Sequence, residues 1–569
     1  MMLVAAITGL ISGLMAVFLK TIVHYIEEFV FKKGGDLLYL IFPLIGLVLV
    51  VFIIQNFLKG HIDKGIAMVL KAIAKRSSFI PFDNNYVHVV TSAITVGSGG
   101  SAGLEAPIVA TGSAIGSTIG RLSDVTYQER TLLIACGAAA GIAAVFNAPV
   151  AGVIFAIELL LTETVLSYFI PLIVAAVVGA LCSKIILKEN ILFNFKLTQH
   201  FDYHNVPFFI ILGVLAGFVS LYYTRVFRSV ETRIEGWKMN VYTKAILCGL
   251  LLLMIFYFFT PLFGEGYSSI KQLADGTPGN ISLHESFLSH FNADWGLVFF
   301  AALIVLAKPI AAAVTIGGGG NGGNFAPSLF SGSFLGFFFA KLMNTIGFVK
   351  LPESNFSLVG MAGVLSGVMY APLTAIFLIA EITNGYELMI PLMIVSIISF
   401  FIMKHFEPYS MEIKQLALEG EVFTHKKEQN ILTGIELESI LTDAYLSISM
   451  DKKLKDLVDM IKRSEKNIFA VEDNNGRFVG IVELNDIKEK IFDPALFDKV
   501  YIRDLMKKPP AVIHINERMQ FVMEKFDTVQ SWYLPALDGE GRFKGFISKT
   551  KIFNQYREAL SAQSDLYDD

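Results

Sequence analysis

Glu105 is a carboxylate set in apolar sequence, inside Gly103-Leu104-Glu105-Ala106-Pro107. A carboxylate within a membrane segment is expensive and usually functional. A Gly-rich run, VGSGGSA, precedes it, and a proline follows near a helix start, where its missing N–H costs nothing. Free backbone N–H groups at a helix start carry a partial positive charge, and glycines let an ion approach them closely. The same pattern recurs as Gly323-Asn324-Phe325-Ala326-Pro327, with Pro327 lying 220 positions after Pro107 (327 − 107) and Phe325 replacing the carboxylate. Two such ends converging make an anion site without any full positive charge. A fixed Lys or Arg would hold the ion too tightly for fast transit. Glu105 can occupy the anion's place and leave when protonated or displaced, which makes it a gate and a proton carrier. One Gly-rich pattern alone would read as close helix packing; two at matching places favour the site.

The elements that must position these ends are also duplicated. GAAAGIAAVFNAPVAGVIFAIEL from Gly137 is echoed by GMAGVLSGVMYAPLTAIFLIAEI from Gly360, with Pro372 lying 223 positions after Pro149 (372 − 149). Glu158 and Glu381 fall at equivalent places, which predicts a shared structural task near a helix end. Of the 569 residues, 54% are hydrophobic and 17% charged, against about a quarter charged in soluble domains. Mean hydropathy is +0.58. Segments 37–58, 166–187, 208–227, 242–263, 295–314 and 388–406 approach the roughly 20 apolar residues that span a bilayer. The chain is therefore a polytopic membrane protein with the lipid bilayer as partner. The Gly-rich breaks survive only inside protein or beside water, and such repeats commonly place a substrate site where interrupted helices from both halves meet. A net charge of −4 offers no argument for nucleic-acid binding. Cys136, Cys182 and Cys248 lie in apolar segments and read as packed thiols. The first segment, MMLVAAITGLISGLMAVFLK, has no basic leader and reads as a retained membrane helix.

After about Leu418 the composition turns to Lys, Asp and Glu. Residues 421–436 read as a linker, and 437–569 as a soluble domain with its own repeat. FAVEDNNGRFVGIVELNDI from Phe469 is echoed by LPALDGEGRFKGFISKTKI from Leu534, Gly541 following Gly476 by 65 positions (541 − 476). Strand, Gly-containing turn, strand and short helix in each copy make two small α+β units, which should pack on each other.

On these motifs the membrane part, residues 1–420 with repeat halves of about 1–190 and 206–420, resembles the chloride channel (CLC) family of anion channels and anion/proton exchangers. The resemblance implies a polytopic α-helical fold with an internal inverted repeat, and a homodimer in which each subunit carries its own path for chloride or a similar small anion. Gly103-LEA-Pro107 is similar to the family's gating signature, with Leu104 and Ala106 as departures and Glu105 as the gate. Gly323-NFA-Pro327 keeps the Gly-x-Phe-x-Pro signature. The implied anion-binding set is His61, Gly103, Leu104, Glu105, Asn324, Phe325, Ala326 and Tyr409. His61 stands in Gly60-His61-Ile62-Asp63-Lys64, the counterpart of a Gly-Ser-Gly-Ile-Pro signature, where its ring N–H replaces a serine hydroxyl. Leu159 occupies the position of the exchangers' inner proton glutamate. Leucine relays no proton, which favours passive conduction of the voltage-gated chloride channel type; a proton-coupled chloride or fluoride exchanger is the alternative.

The soluble repeat resembles a CBS-domain pair. Nucleotide-binding examples use an S/T-x-x-D pattern; here Glu483-LN-Asp486 has the aspartate without the hydroxyl, and Ser548-KT-Lys551 the hydroxyl without the aspartate. Adenine nucleotide would rest on Asp486 and Ser548 alone, so a dimerising scaffold is the stronger reading, and no cofactor is required. A CBS-linked membrane metalloprotease would need a zinc-binding His pair on one helix face, and His284 and His290 sit about 120° apart on a helix. A CBS-linked cation transporter would need clustered oxygen ligands, where the spans show isolated glutamates. Neither an enzyme nor a metal site is expected. The multi-pass chain is expected in a prokaryotic inner membrane, its CBS pair cytoplasmic.

Overall fold

In the computed structural model the apolar runs are helices, as a chain in lipid must be to satisfy its backbone internally. It describes residues 1–34, 38–58, 65–75, 78–161, 168–187, 200–277, 293–383, 386–418, 437–441, 446–517, 519–529 and 531–565. The chain forms two units, Met1–Glu419 and Gly420–Asp569. Among the described residues, nine helices are long and apolar enough to cross a membrane.

The first repeat contains α1 (Met2–Gly34), α2 (Phe42–Phe57), α3 (Gly65–Lys75), α4 (Val87–Gly97), α5 (Glu105–Leu122), α6 (Tyr127–Phe146), α7 (Pro149–Phe155) and α8 (Phe169–Leu187). The second contains α9 (Val206–Glu235), α10 (Val241–Phe258), α11 (Tyr267–Ala274), α12 (Ala293–Gly317), α13 (Phe325–Ile346), α14 (Glu353–Met369), α15 (Pro372–Ile382), α16 (Met389–Phe406) and α17 (Met411–Leu418).

The duplication holds down to backbone detail. In the first repeat α5 crosses α6 where Gly112 meets the backbone of Gly137; in the second α13 crosses α14 where Gly332 meets Gly360. A methyl at any of the four would strike main-chain atoms, so these glycines do what small residues do at tight membrane crossings. Helix α6 ends at Asn147 (φ 52°) and α14 at Tyr370 (φ 60°), both left-handed. Asparagine tolerates that conformation, while a bulky residue there is an outlier that its surroundings must hold. The Tyr370 hydroxyl supplies the hold, donating to the Glu407 carbonyl at the end of α16, with the Met403 carbonyl also within reach at 3.3 Å. Pro149 and Pro372 then start α7 and α15.

The predicted symmetric task of Glu158 and Glu381 takes a reciprocal form. Glu158 accepts from the Leu373 and Thr374 N–H groups at 3.1 and 2.8 Å, capping α15; Glu381 accepts from Val150 and Ala151 at 3.1 and 2.8 Å, capping α7. Each repeat thus neutralises the other's helix start. Glu158 and Leu159 ride on a widened turn, Ala156–Leu160, that continues α7.

The second unit holds two three-stranded sheets, β1–β3 (Ser447–Ser449, Ile468–Glu472, Phe478–Glu483) and β4–β6 (Ile513–His514, Tyr533–Leu537, Phe543–Ser548). In each, the first pair is parallel and the second antiparallel. Asp473 Oδ1 accepts from the N–H groups of Asn475 and Arg477, and Asp538 Oδ1 from those of Glu540 and Arg542, giving identical turns before Gly-containing strand returns. The copies do pack on each other: Ile468, Ala470 and Ile481 share a core with Phe546, and the rings of Phe478 and Phe543 stack 5.9 Å apart. The expected linker, 421–436, lies outside the described residues.

Candidate functional site

The two helix breaks meet. Gly103 N donates to Gly323 O at 2.9 Å and Gly323 N to Gly103 O at 2.8 Å, an antiparallel bridge between positions 220 apart. An antiparallel pair of equivalent residues is what a two-fold axis between the breaks requires. The approach to the bridge is also reciprocal. Ser101 N donates to Thr315 Oγ1 (3.1 Å) and Asn321 N to Thr95 Oγ1 (3.0 Å), so the threonine before each break holds the loop of the other. Gly99 (φ 101°) and Gly319 (φ 105°) make the reversals that aim these loops, a conformation other residues avoid.

From the bridge the chain enters α5 at Glu105 and α13 at Phe325, behind Leu104 and Asn324; neither of those two places its side chain over its helix start. Leaving the first N–H groups without side-chain caps keeps both starts available to an anionic group. Gly103, Leu104, Glu105, Asn324, Phe325 and Ala326 are therefore brought together, all buried. Glu105, 1% exposed, accepts a short hydrogen bond from the Tyr267 hydroxyl on one carboxylate oxygen. Its carboxylate faces the Ala326 N–H at the start of the opposite repeat's α13, and Oε2 is buried without a hydrogen bond of regular geometry. The carboxylate of one repeat thus lies on the helix start of the other. On the Phe325 side, the Asn324 amide oxygen accepts from Tyr223 at 2.9 Å, and the Phe325 ring packs against Phe146 and Phe155, at 5.7 and 6.3 Å between centroids.

The expectation of a neighbourhood free of full positive charge is corrected. Lys20 interacts electrostatically with both Glu105 and Glu265, and its ammonium donates to the Val145 carbonyl at 2.9 Å. Lys308, fully buried, donates to Ser101 Oγ (2.9 Å) and the Gly264 carbonyl (3.3 Å) and lies over the Phe330 ring. Nor are the glutamates isolated: Glu265 Oε1 accepts from Leu104 N at 3.0 Å and interacts with Glu105 and Glu27. The physical reason is mutual compensation, since lysines and carboxylates buried together cost less than either alone. Reading along the sequence missed Glu265, Tyr267, Lys20 and Lys308. Lys308, a lone cation in an apolar 25-residue helix, carried a signal by itself.

The other predicted residues stand elsewhere. Leu159 packs against the main core. Tyr409, 37% exposed, lies between α16 and α17, and no hydrogen bond or ring contact links it to the helix starts among the described residues. Gly60-His61-Ile62-Asp63-Lys64 lies outside the described residues, as do His284 and His290. No group of three His, Cys, Asp or Glu side chains suited to a metal ion occurs among the described residues. In the second unit, Asp486 pairs with Lys507 at 2.7 Å and Glu483 with the same ammonium at 3.2 Å. The hydrogen bond to Asp486 holds the Lys507 ammonium above its ordinary range. Ser548 Oγ accepts from Lys551 N at 3.0 Å, an intrachain N-cap contact.

Residues 46–404 match the family profile described as voltage gated chloride channel, and residues 437–493 and 502–558 each match that of the CBS domain. A voltage-gated ClC-type chloride channel, ClcB, of Escherichia coli is 28% identical over 319 residues, 55% of this chain and 71% of that one. A slow cyanobacterial Cl−/H+ antiporter of known structure superposes with a TM-score of 0.63 at 21% identity, covering 74% of this chain and 97% of its own. A CLC-type fluoride/proton antiporter does so at 0.59 and 22%, covering 72% and 96%.

Proposed function

We propose that this chain, which belongs to the voltage gated chloride channel family, passes chloride or a similarly small anion between the starts of α5 and α13, with Glu105 as the gate. One observation carries the reading: the Glu105 carboxylate, buried and incompletely bonded, faces the Ala326 N–H of the opposing helix. That is the position an anion bound to both helix starts would take. When Glu105 is protonated or swings away, the N–H groups are released to the anion. The family relation supports a homodimer with one path per subunit, in a membrane whose cytoplasmic side bears the CBS pair.

Leu159 supports passive conduction, because the position offers no carboxylate to relay a proton inward. The second reading, proton-coupled exchange of chloride or fluoride, is favoured by the two antiporters whose fold this chain shares. Reversal potentials of the reconstituted protein under combined anion and pH gradients separate the two. Reversal at the anion equilibrium potential is expected; a shift with pH would establish exchange, and no anion movement under any gradient would remove both. The Lys507 bridge to Asp486 and Glu483 favours the CBS pair as a scaffold, since the carboxylate a ribose would need is already paired. Calorimetry with AMP and ATP should show no heat of binding to the full chain, and clear binding would overturn the scaffold reading.

A further inference from the structure

The charged groups around Glu105 come from four helices and one connection. Glu27 and Lys20 lie on α1, Glu105 starts α5, Tyr267 starts α11, Lys308 lies in α12, and Glu265 lies in the connection before α11. Glu265 is 8% exposed, and its Oε1 holds the Leu104 N–H one residue before the gate. It interacts electrostatically with Glu105, Glu27, Lys20 and Lys308. Half-buried Glu27 connects the group toward the surface: a methyl added to Gly264 would lie 3.4 Å from its Oε1.

With every group ionised, three carboxylates face two ammonium groups. One negative charge is left without a partner in a buried setting, where uncompensated charge is costly. An anion arriving beside an ionised Glu105 would make that two. One proton held among the carboxylates would relieve the cluster, and the Glu105 carboxylate, which accepts from Tyr267 and faces the Ala326 N–H, is one place for it. Glu265 is tied to the backbone of the gate loop through its Oε1.

We propose that Glu265 is a positioning residue whose negative charge controls when the Glu105 gate takes up its proton, with Lys20 acting in the opposite sense. This rests on the reading of Glu105 as the gate. An ionised Glu265 disfavours a second negative charge on Glu105, because like charges in one site resist joint ionisation. Lys20, which interacts electrostatically with both, favours it. The pH at which the gate opens is thus set by a balance of two buried neighbours outside the duplicated motif.

The test is anion efflux from vesicles holding the purified full chain, measured across a pH series. Flux should rise as the medium becomes acid. Glu265→Gln keeps an acceptor for Leu104 N and removes the charge, so the midpoint should move to lower pH by about one unit. Lys20→Met should move it to higher pH. In a Glu105→Gln background the pH dependence and both shifts should vanish. General structural damage would move both variants the same way, so shifts of the same sign, or an unmoved midpoint in Glu265→Gln with flux retained, overturn the proposal. Should Glu265→Gln yield no folded protein, Lys20→Met decides: an alkaline shift supports the proposal and any other result overturns it. Wild-type vesicles that pass no anion would instead bring down the gate reading beneath it.

Discussion

The 99–105 break and the 319–325 break share a backbone and differ in the side chains that face the meeting point. Both turn on a glycine near φ 100°, both borrow a threonine hydroxyl from the other repeat, and each forms one side of the Gly103–Gly323 bridge. One then presents Glu105 with Tyr267 and a charged surround; the other presents Phe325 in an aromatic pocket and Asn324 held by Tyr223. The shared features orient N–H groups, which either break needs if it is to bind an anion. The unshared ones include the titratable carboxylates, and these sit on a single side. Symmetry builds the paired helix starts, and its local failure sets Glu105 against Phe325.

The largest test of that division is Glu105→Ala, which should abolish the pH dependence of anion efflux, while Phe325→Leu should keep the midpoint and lower stability by about 1 kcal/mol. A pH midpoint that moves equally in both would erase the distinction between the sides. Gly103→Ala comes next. Its methyl would strike Glu105 Oε2, whereas one on Gly323 would meet Ala106 Cβ. Both overpack by about 1–3 kcal/mol, lowering the melting temperature in detergent, but only Gly103→Ala should also leave the gate open at neutral pH. Tyr223→Phe removes the donor from buried Asn324 and should cost about 1–3 kcal/mol, read by thermal unfolding, with gating intact. The smallest expected difference is that between Thr95→Val and Thr315→Val. Each removes the acceptor of the opposite loop's buried N–H together with the bond back to its own turn, about 1–3 kcal/mol, and the two losses should be equal. A clear inequality in their melting temperatures would show that the backbone symmetry does not extend to energetics.

What could be read along the chain follows the same division. Features held in short contiguous strings were legible: the duplicated breaks, the prolines at helix starts, Glu105 against Phe325, and the paired strand-turn-strand units after Leu418. The reciprocal capping of Glu158 and Glu381 was half legible, since their equivalence appears in sequence but their exchange of helices needs three dimensions. Most of the surround of Glu105 was not legible: Lys308 stood out in its apolar helix, but nothing in the spacing of Lys20, Glu265, Tyr267 and Lys308 ties them to Glu105. Serine and threonine in apolar helices conceal their partners too, since Thr95 and Thr315 also bond back to their own preceding turns at 2.9 Å. Only the fold shows that the same oxygens accept from the opposite loop.

The Gly103–Gly323 bridge has a consequence for how the protein is made. A ribosome adds about 5–20 residues per second, so Gly103 is synthesised roughly 10–45 seconds before its partner exists. During that interval its N–H and C=O groups lack the bonds that lipid will not supply. The nascent first half must therefore wait with its break shielded by water, by neighbouring helices or by the insertion machinery. Synthesis is finished, for this site, only when a residue 220 positions later arrives to close it.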